Sequence, residues 1–169
     1  MDTTIIDPSA ITKKEVMVYT DGACRGNPGP GGWGVLLRYQ KHHHKKIYEK
    51  RINGAVFDTT NNRMELTAVI NALQQLKEPC IINITTDSTY VKLGITKHLK
   101  QWKQRGWLTC NKRPVKNIDL WLQLEELVSR HQIIWHWVKG HSGHSENEIV
   151  DQLANQALDE LLGKDKQSK

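Results

Sequence analysis

Apolar and β-branched residues crowd into two short runs that each end in an acid: Val16, Met17, Val18, Tyr19 and Thr20 before Asp21, and Ile81, Ile82, Ile84, Thr85 and Thr86 before Asp87. Runs of this kind predict strands. Both acids are then expected at carboxyl ends, where open α/β sheets place their chemistry. Residues 22–32 hold so much glycine and proline that they predict a tight reversal rather than regular structure. Residues 33–39 and 46–56 follow as two further strands of an antiparallel meander, joined by a turn at 41–45. From Asn62 the period lengthens, with Leu66, Val69, Ile70 and Leu73 on one helical face and Thr60 or Asn61 as its cap. Pro79 ends the connection, and the usual crossover rule makes the strand at 81–86 parallel to the first, so that Asp21 and Asp87 become neighbours. Short helical segments are expected over 88–102, then a basic loop through Pro114, a helix at 118–129 and a fifth strand at 133–138. A last helix starts near Glu146 and buries Val150, Leu153, Ala154, Ala157, Leu158 and Leu161 on one stripe.

The chain of 169 residues suits one domain. That domain is expected over 15–162, between a short extension at 1–14 and a tail at 163–169 that frays. Charge sharpens the picture. The eight basic residues between Ser88 and Ile118 stand without a single acid, so this segment carries +8 of a formal +6 and leaves the rest at −2. With Trp102 and Trp107 among the lysines, it has the make-up of a surface that tracks a nucleic-acid backbone. No stretch has the length of a membrane span, and Asp2, Asp7 and Pro8 stand where a secretory leader needs a basic start and an apolar core. The expected setting is soluble and cytoplasmic, with no membrane partner. Cys24, Cys80 and Cys110 fit neither a disulfide framework nor a zinc pattern and are expected to be reduced thiols.

Two more acids join the strand-end pair: Glu65 on the first helix, beside the polar run Thr59-Thr60-Asn61-Asn62, and Asp151 in the first turns of the last helix. Taken singly, each is as easily a cap or a surface charge. Together they read as a carboxylate cluster for a hard divalent cation such as magnesium, which takes oxygen ligands and keeps waters for substrate phosphate. Four acids suit two ions, the arrangement that serves in-line displacement at phosphorus. Without metal, such a cluster is strained by like-charge repulsion.

The motifs Thr20-Asp21-Gly22, Gly26-Asn27-Pro28-Gly29-Pro30-Gly31-Gly32, Thr60-Asn61-Asn62-Arg63-Met64-Glu65-Leu66, Thr86-Asp87-Ser88, the span 102–107 and Trp137-Val138-Lys139-Gly140-His141 resemble type 1 ribonuclease H, the bacterial stand-alone form. The likeness covers about residues 15–160. It implies an α/β, ribonuclease H-like fold with a five-stranded mixed sheet, three antiparallel strands then parallel ones, flanked by helices. It also implies endonucleolytic hydrolysis of the RNA strand of RNA–DNA hybrids by two Mg²⁺ ions, with Mn²⁺ as a substitute, leaving 5′-phosphate and 3′-hydroxyl ends. By position, Asp21, Glu65, Asp87 and Asp151 match the family's metal ligands, and His141 matches a catalytic histidine that shuttles a proton or aids product departure. Glu148, one helical turn before Asp151, is a candidate supporting group. Cys24 and Gly26 through backbone groups, with Asn27, Asn61 and Asn62 through amides, match hybrid-reading positions; the 2′-hydroxyl they must sense lies in the wide minor groove. Thr60 and Arg63 are candidates for holding phosphate. The segment at about 97–116 matches the family's basic handle, with Lys103, Arg105, Lys112, Arg113 and Lys116 on phosphates and Trp102 and Trp107 packing it together.

Two features depart from that pattern. Thr89 stands where many relatives carry a longer amide, so one minor-groove contact is expected to be shortened or lost, and the turn at 41–46 is extended and carries His42, His43 and His44, expected to be a solvated tip without a catalytic role. A hybrid-binding module without catalysis would be expected to lack one acid, whereas all four are present. Another nuclease of the same fold, such as a junction resolvase, is disfavoured by the handle and the Asn-Asn-Arg-Met-Glu run. A monomer without an obligate protein partner is the expected state.

Overall fold

The structure, a computed structural model, describes residues 14–40, 45–140 and 145–167, the last four of these by backbone alone. His141, His144, the His42–His44 triplet and the extension at 1–13 lie outside the described residues. Five strands form one sheet: β1 (Lys14–Cys24), β2 (Gly29–Gln40), β3 (Ile47–Thr59), β4 (Cys80–Thr86) and β5 (Gln132–Trp137), in the order β3-β2-β1-β4-β5. β1, β2 and β3 pair antiparallel, whereas β4 and β5 run parallel to β1. The expected mixed sheet is therefore present. The helices are α1 (Asn61–Gln74), α2 (Thr89–Leu93), a single π-helical turn (Gly94–His98), α3 (Leu99–Gln104), α4 (Ile118–Val128) and α5 (Ser145–Gln167). Among the described residues no helix is long and apolar enough to cross a membrane.

Three expectations shift. The glycine- and proline-rich stretch is mostly strand, not turn: Gly22, Ala23 and Cys24 pair with Trp33, Gly32 and Gly31, and the reversal is confined to 25–28, closed by the Arg25 N–H donating to the Pro30 carbonyl at 2.8 Å. Asp21 consequently lies within β1, opposite Gly34, rather than at its end. The physical reason is close packing. A Cβ on Gly31 would meet Thr59 and Met64, and one on Gly32 would collide with the Ala154 carbonyl. Successive strand residues face opposite sides, so these glycines let α1 and α5 approach opposite faces of the same strand. The third shift is at the end of α5, which continues as helix to Gln167, past Gly163 where fraying was expected; a Cβ there would meet nothing within 4 Å.

The core lies between the sheet and the helices α1 and α4. Val16, Val18, Ile82, Ile84, Leu66, Val69, Leu73 and Trp121 are each fully buried. Leu66, Val69 and Leu73 are on the stripe that the sequence predicts. Burying a side chain of that size stabilises by roughly 1.5–3 kcal/mol, and this holds α1 in place. Thr60 caps α1, its hydroxyl accepting from the Arg63 N–H at 3.3 Å.

Candidate active site

Three elements bring the acids together. β1 supplies Asp21, the residue just past β4 supplies Asp87, and α1 supplies Glu65 from its second turn. One carboxylate oxygen of each lies within 4.8 Å of those of the other two. Glycine makes this approach possible, since a Cβ on Gly22 would stand 2.6 Å from the Glu65 backbone nitrogen. Gly140 similarly lies against Asp87, with room for a Cβ only at 3.0 Å from Oδ2. Glu65 is 5% exposed, and its Oε2 is buried without a hydrogen-bond partner.

Electrostatics match that geometry. Burial pushes the Asp21 carboxyl up to about 7, with help from the charges of Asp87 and Asp151, while the Gly22 N–H, donating at 3.0 Å, pulls the other way. Burial, then Asp21 and Asp87, hold Glu65 well above the usual carboxylate range. Three crowded acids with an orphaned buried oxygen fit a hard divalent cation, whose charge relieves the repulsion and whose preference is for oxygen donors. The cluster is consistent with a divalent-metal site. Asp151 stands outside this three-acid group, exposed on α5, yet its charge reaches Asp21 and helps raise that carboxyl. Asn155, one turn further along α5, donates from Nδ2 to the Asp151 carbonyl at 2.9 Å and to its Oδ1 at 3.3 Å. The sequence carries that signal only as an Asp and an Asn at i and i+4.

A family model described as RNase H matches residues 13–159. The chain belongs to the RNase H family. A ribonuclease H of Coxiella burnetii is 61% identical over 147 residues, which span 87% of this chain and 92% of that one. A ribonuclease H of Hydrogenovibrio crunogenus is 59% identical over 150 residues, 89% of this chain and 99% of the relative. Among solved structures, LC9-RNase H1, described as a type 1 RNase H with the type 2 active-site motif, superposes with a TM-score of 0.79 at 36% identity, covering 86% of this chain and 72% of its own. The RNase H fold and the acid cluster thus coincide in one molecule.

The remaining candidate positions among the described residues lie in and beside the β1–β2 turn, on α1, α2 and α5, or on the handle. In this RNase H chain the turn residue Asn27 accepts the Asn61 N–H on Oδ1 at 3.2 Å, which joins the β1–β2 turn to the start of α1. Cys24 donates its thiol to the Gly26 carbonyl at 2.7 Å, with the Thr59 carbonyl at 3.6 Å. Asn61 is exposed and Asn62 half-buried. Arg63 is engaged within the protein: its guanidinium donates to both Asp119 oxygens, at 3.0 and 2.7 Å, and to Asn117 Oδ1 at 3.2 Å. Asn117 passes the link on to the Tyr90 hydroxyl at 3.0 Å, which also accepts from the Trp121 indole at 2.9 Å. Glu148 is exposed at the start of α5, and Thr89 is exposed at the first position of α2.

The handle is ordered by its aromatics. Trp102 packs edge-on against the buried Trp121, with centroids 5.3 Å apart, and stacks with His98 at 5.5 Å, while Trp107 lies 6.4 Å away. Gly94 brings the π-helical turn onto Trp121, because any Cβ there would occupy the ring. The basic loop is less irregular than expected. The Thr109 N–H donates to the Arg113 carbonyl at 2.7 Å, and the Val115 N–H donates to the Trp107 carbonyl at 3.1 Å. Arg105, Lys112, Arg113 and Lys116 are exposed; Lys103, also exposed, pairs with Glu125 at 2.5 Å.

Proposed function

We propose that the chain is an endonuclease that hydrolyses the RNA strand of RNA–DNA hybrids at a divalent-metal site built on Asp21, Glu65 and Asp87. The observation that carries this is the three-acid cluster with the unpartnered Glu65 oxygen, set in an RNase H chain. In the finer form, two Mg²⁺ ions, or Mn²⁺ in their place, bind in the substrate complex, and Asp151 joins the other three acids as a ligand. When bound, the ions activate an attacking water and stabilise the leaving oxygen of an in-line displacement.

The chain's own residues do the rest. Burial and mutual repulsion raise the Asp21 and Glu65 carboxyls, so metal binds there in competition with protons. The phosphorus–O3′ bond breaks, so the fragments end in 5′-phosphate and 3′-hydroxyl. His141 moves a proton at the departing end and aids release of product. Asn27, Asn61 and Asn62, with backbone groups of Cys24 and Gly26, read the 2′-hydroxyl in the minor groove. The bond from Asn61 to Asn27 supports this by fixing the turn against α1. Thr60 and Arg63 face a phosphate, Arg63 as a fixed charge already oriented by Asp119. Lys103, Arg105, Lys112, Arg113 and Lys116 hold the partner strand through phosphates.

The test is a strand-labelled RNA–DNA hybrid beside matched RNA and DNA duplexes, with Mg²⁺, Mn²⁺ or chelator. Cutting of hybrid RNA alone, dependent on metal and leaving 5′-phosphate ends, is the expected result. Tight binding without cutting, or cutting of the DNA duplex, would overturn it.

A further inference from the structure

α5 lies along β2 with a definite register. A Cβ on Gly34 would meet the Val150 carbonyl, and one on Gly32 the Ala154 carbonyl. These close approaches limit how deep the helix sits, but glycine offers nothing to stop it sliding along its axis. Polar contacts do, beginning with the exposed pair of Arg25 Nη2 and Asp159 Oδ1, which lies beyond Asp151 on the helix. Asn53 Nδ2 donates to the Leu153 carbonyl at 2.8 Å, and Arg38, four residues along β2 from Gly34, donates from Nη1 to Glu146 Oε1 at 3.0 Å. The same guanidinium donates from Nε to Glu49 Oε1 at 2.9 Å. Glu49 is Arg38's cross-strand partner on β3 and is itself held by Arg51 Nε at 2.9 Å. The Arg38 side chain is 30% exposed, with Glu49 at 34% and Glu146 at 27%, so the clamp is partly shielded and its planar, two-carboxylate geometry gives it direction.

We propose that Arg38 is a positioning residue for hydrolysis: braced by Glu49, it holds Glu146 and so fixes the axial register of α5 that carries Asp151 to Asp21. Glu146 precedes Asp151 by five residues, about 7.5 Å along the axis, so a shift at the clamp is delivered undiminished to Asp151 by a rigid helix. A displacement of about 1 Å can cost up to a hundredfold in rate. The proposal rests on the hydrolytic function above and adds a residue remote from the acids.

The experiment compares native protein with Arg38→Met, Arg38→Lys, Glu146→Gln and the double variant Arg38→Met/Glu146→Gln. It measures kcat and KM on the hybrid, Mg²⁺ affinity by calorimetry, and backbone amide shifts of residues 145–160 in the metal-free protein. Expected are a kcat loss of about tenfold for Arg38→Met and for Glu146→Gln, with KM for hybrid nearly unchanged, Mg²⁺ affinity lowered, and amide shifts concentrated in α5. Arg38→Lys, which cannot fork to two carboxylates, recovers only part. The double variant is no worse than either single one, because both remove the same link. Overturning results are native kcat in both single variants, additive losses, or amide shifts absent from α5. Glu146→Gln keeps the side chain's size and serves if Arg38→Met folds poorly. If native protein does not cut hybrid, the proposed function fails, whereas the α5 amide shifts still decide the clamp.

Discussion

Asp21 binds protons where an ordinary aspartate has lost them. Its carboxyl is raised from the usual 3.8 to about 7 in the folded, metal-free chain. Between those values the folded state holds more protons than the unfolded one. The stability that Asp21 contributes is therefore full below about pH 4 and lost as pH rises through about 7. Asp21→Asn removes this loss, so at pH 8 without metal it should melt a few degrees above native protein, on the order of 1 kcal/mol, and the gap should narrow toward pH 4. Scanning calorimetry at both pH values checks this; a gap of the same size at each contradicts it. Adding Mg²⁺ at pH 8 should raise the melting temperature of native protein and leave Asp21→Asn nearly unmoved. Asn155→Ala removes the donor to the Asp151 carboxylate. It should lower kcat several-fold, on the order of 1 kcal/mol of orientation, with hybrid KM preserved, as steady-state kinetics would show. The identities of the four acids were legible from their flanking residues. Asp151's place outside the three-acid group was not, because it depends on how α5 sits over β2, and nothing local to Asp151 encodes that.

At the scale of elements, glycine decides which helices reach the sheet. Gly34→Ala would drive a methyl group into the Val150 carbonyl, and the backbone must give. The expected cost is about 1–3 kcal/mol, with a kcat loss of tenfold or more as Asp151 moves off Asp21; urea denaturation and kinetics measure the two separately. Lys112 offers the opposite sign. It is held at φ 59° on the exposed handle, where glycine is free of the side-chain penalty. Lys112→Gly should stabilise the fold by about 1 kcal/mol after the entropy cost in the unfolded chain, while weakening hybrid binding. α1 was readable because Leu66, Val69, Ile70 and Leu73 announce their own period. The extension of β1 through Gly22 to Cys24 was not, since glycine there reflects Glu65 and Met64 pressing from α1, partners some forty residues away. Local composition therefore pointed to a turn where tertiary packing required strand.

Across the whole molecule, charge is divided between an acidic cluster at the junction of β1, β4 and α1 and a basic handle projecting through α3 and the loop that follows. In the proposed function this division separates chemistry from grip. Replacing Arg105, Lys112 and Arg113 together by Ala should flatten the slope of log affinity against log salt by about 2–3 units, with kcat at saturation close to native, as fluorescence titrations across salt would report. The run of basic residues made this half of the molecule visible in the sequence. Its anchoring on Trp121 through Trp102 and Gly94 was not visible, because those contacts join separate elements. The central claim is that Asp21, Glu65 and Asp87 form the metal site that cuts hybrid RNA. The most direct measurement is the single-turnover cleavage rate of a strand-labelled RNA–DNA hybrid at saturating Mg²⁺, for native protein and Asp21→Asn. The predicted outcome is metal-dependent cutting of the RNA strand that falls by about a thousandfold or more in the variant, with hybrid binding retained. An Asp21→Asn protein that cuts within tenfold of the native rate would contradict it.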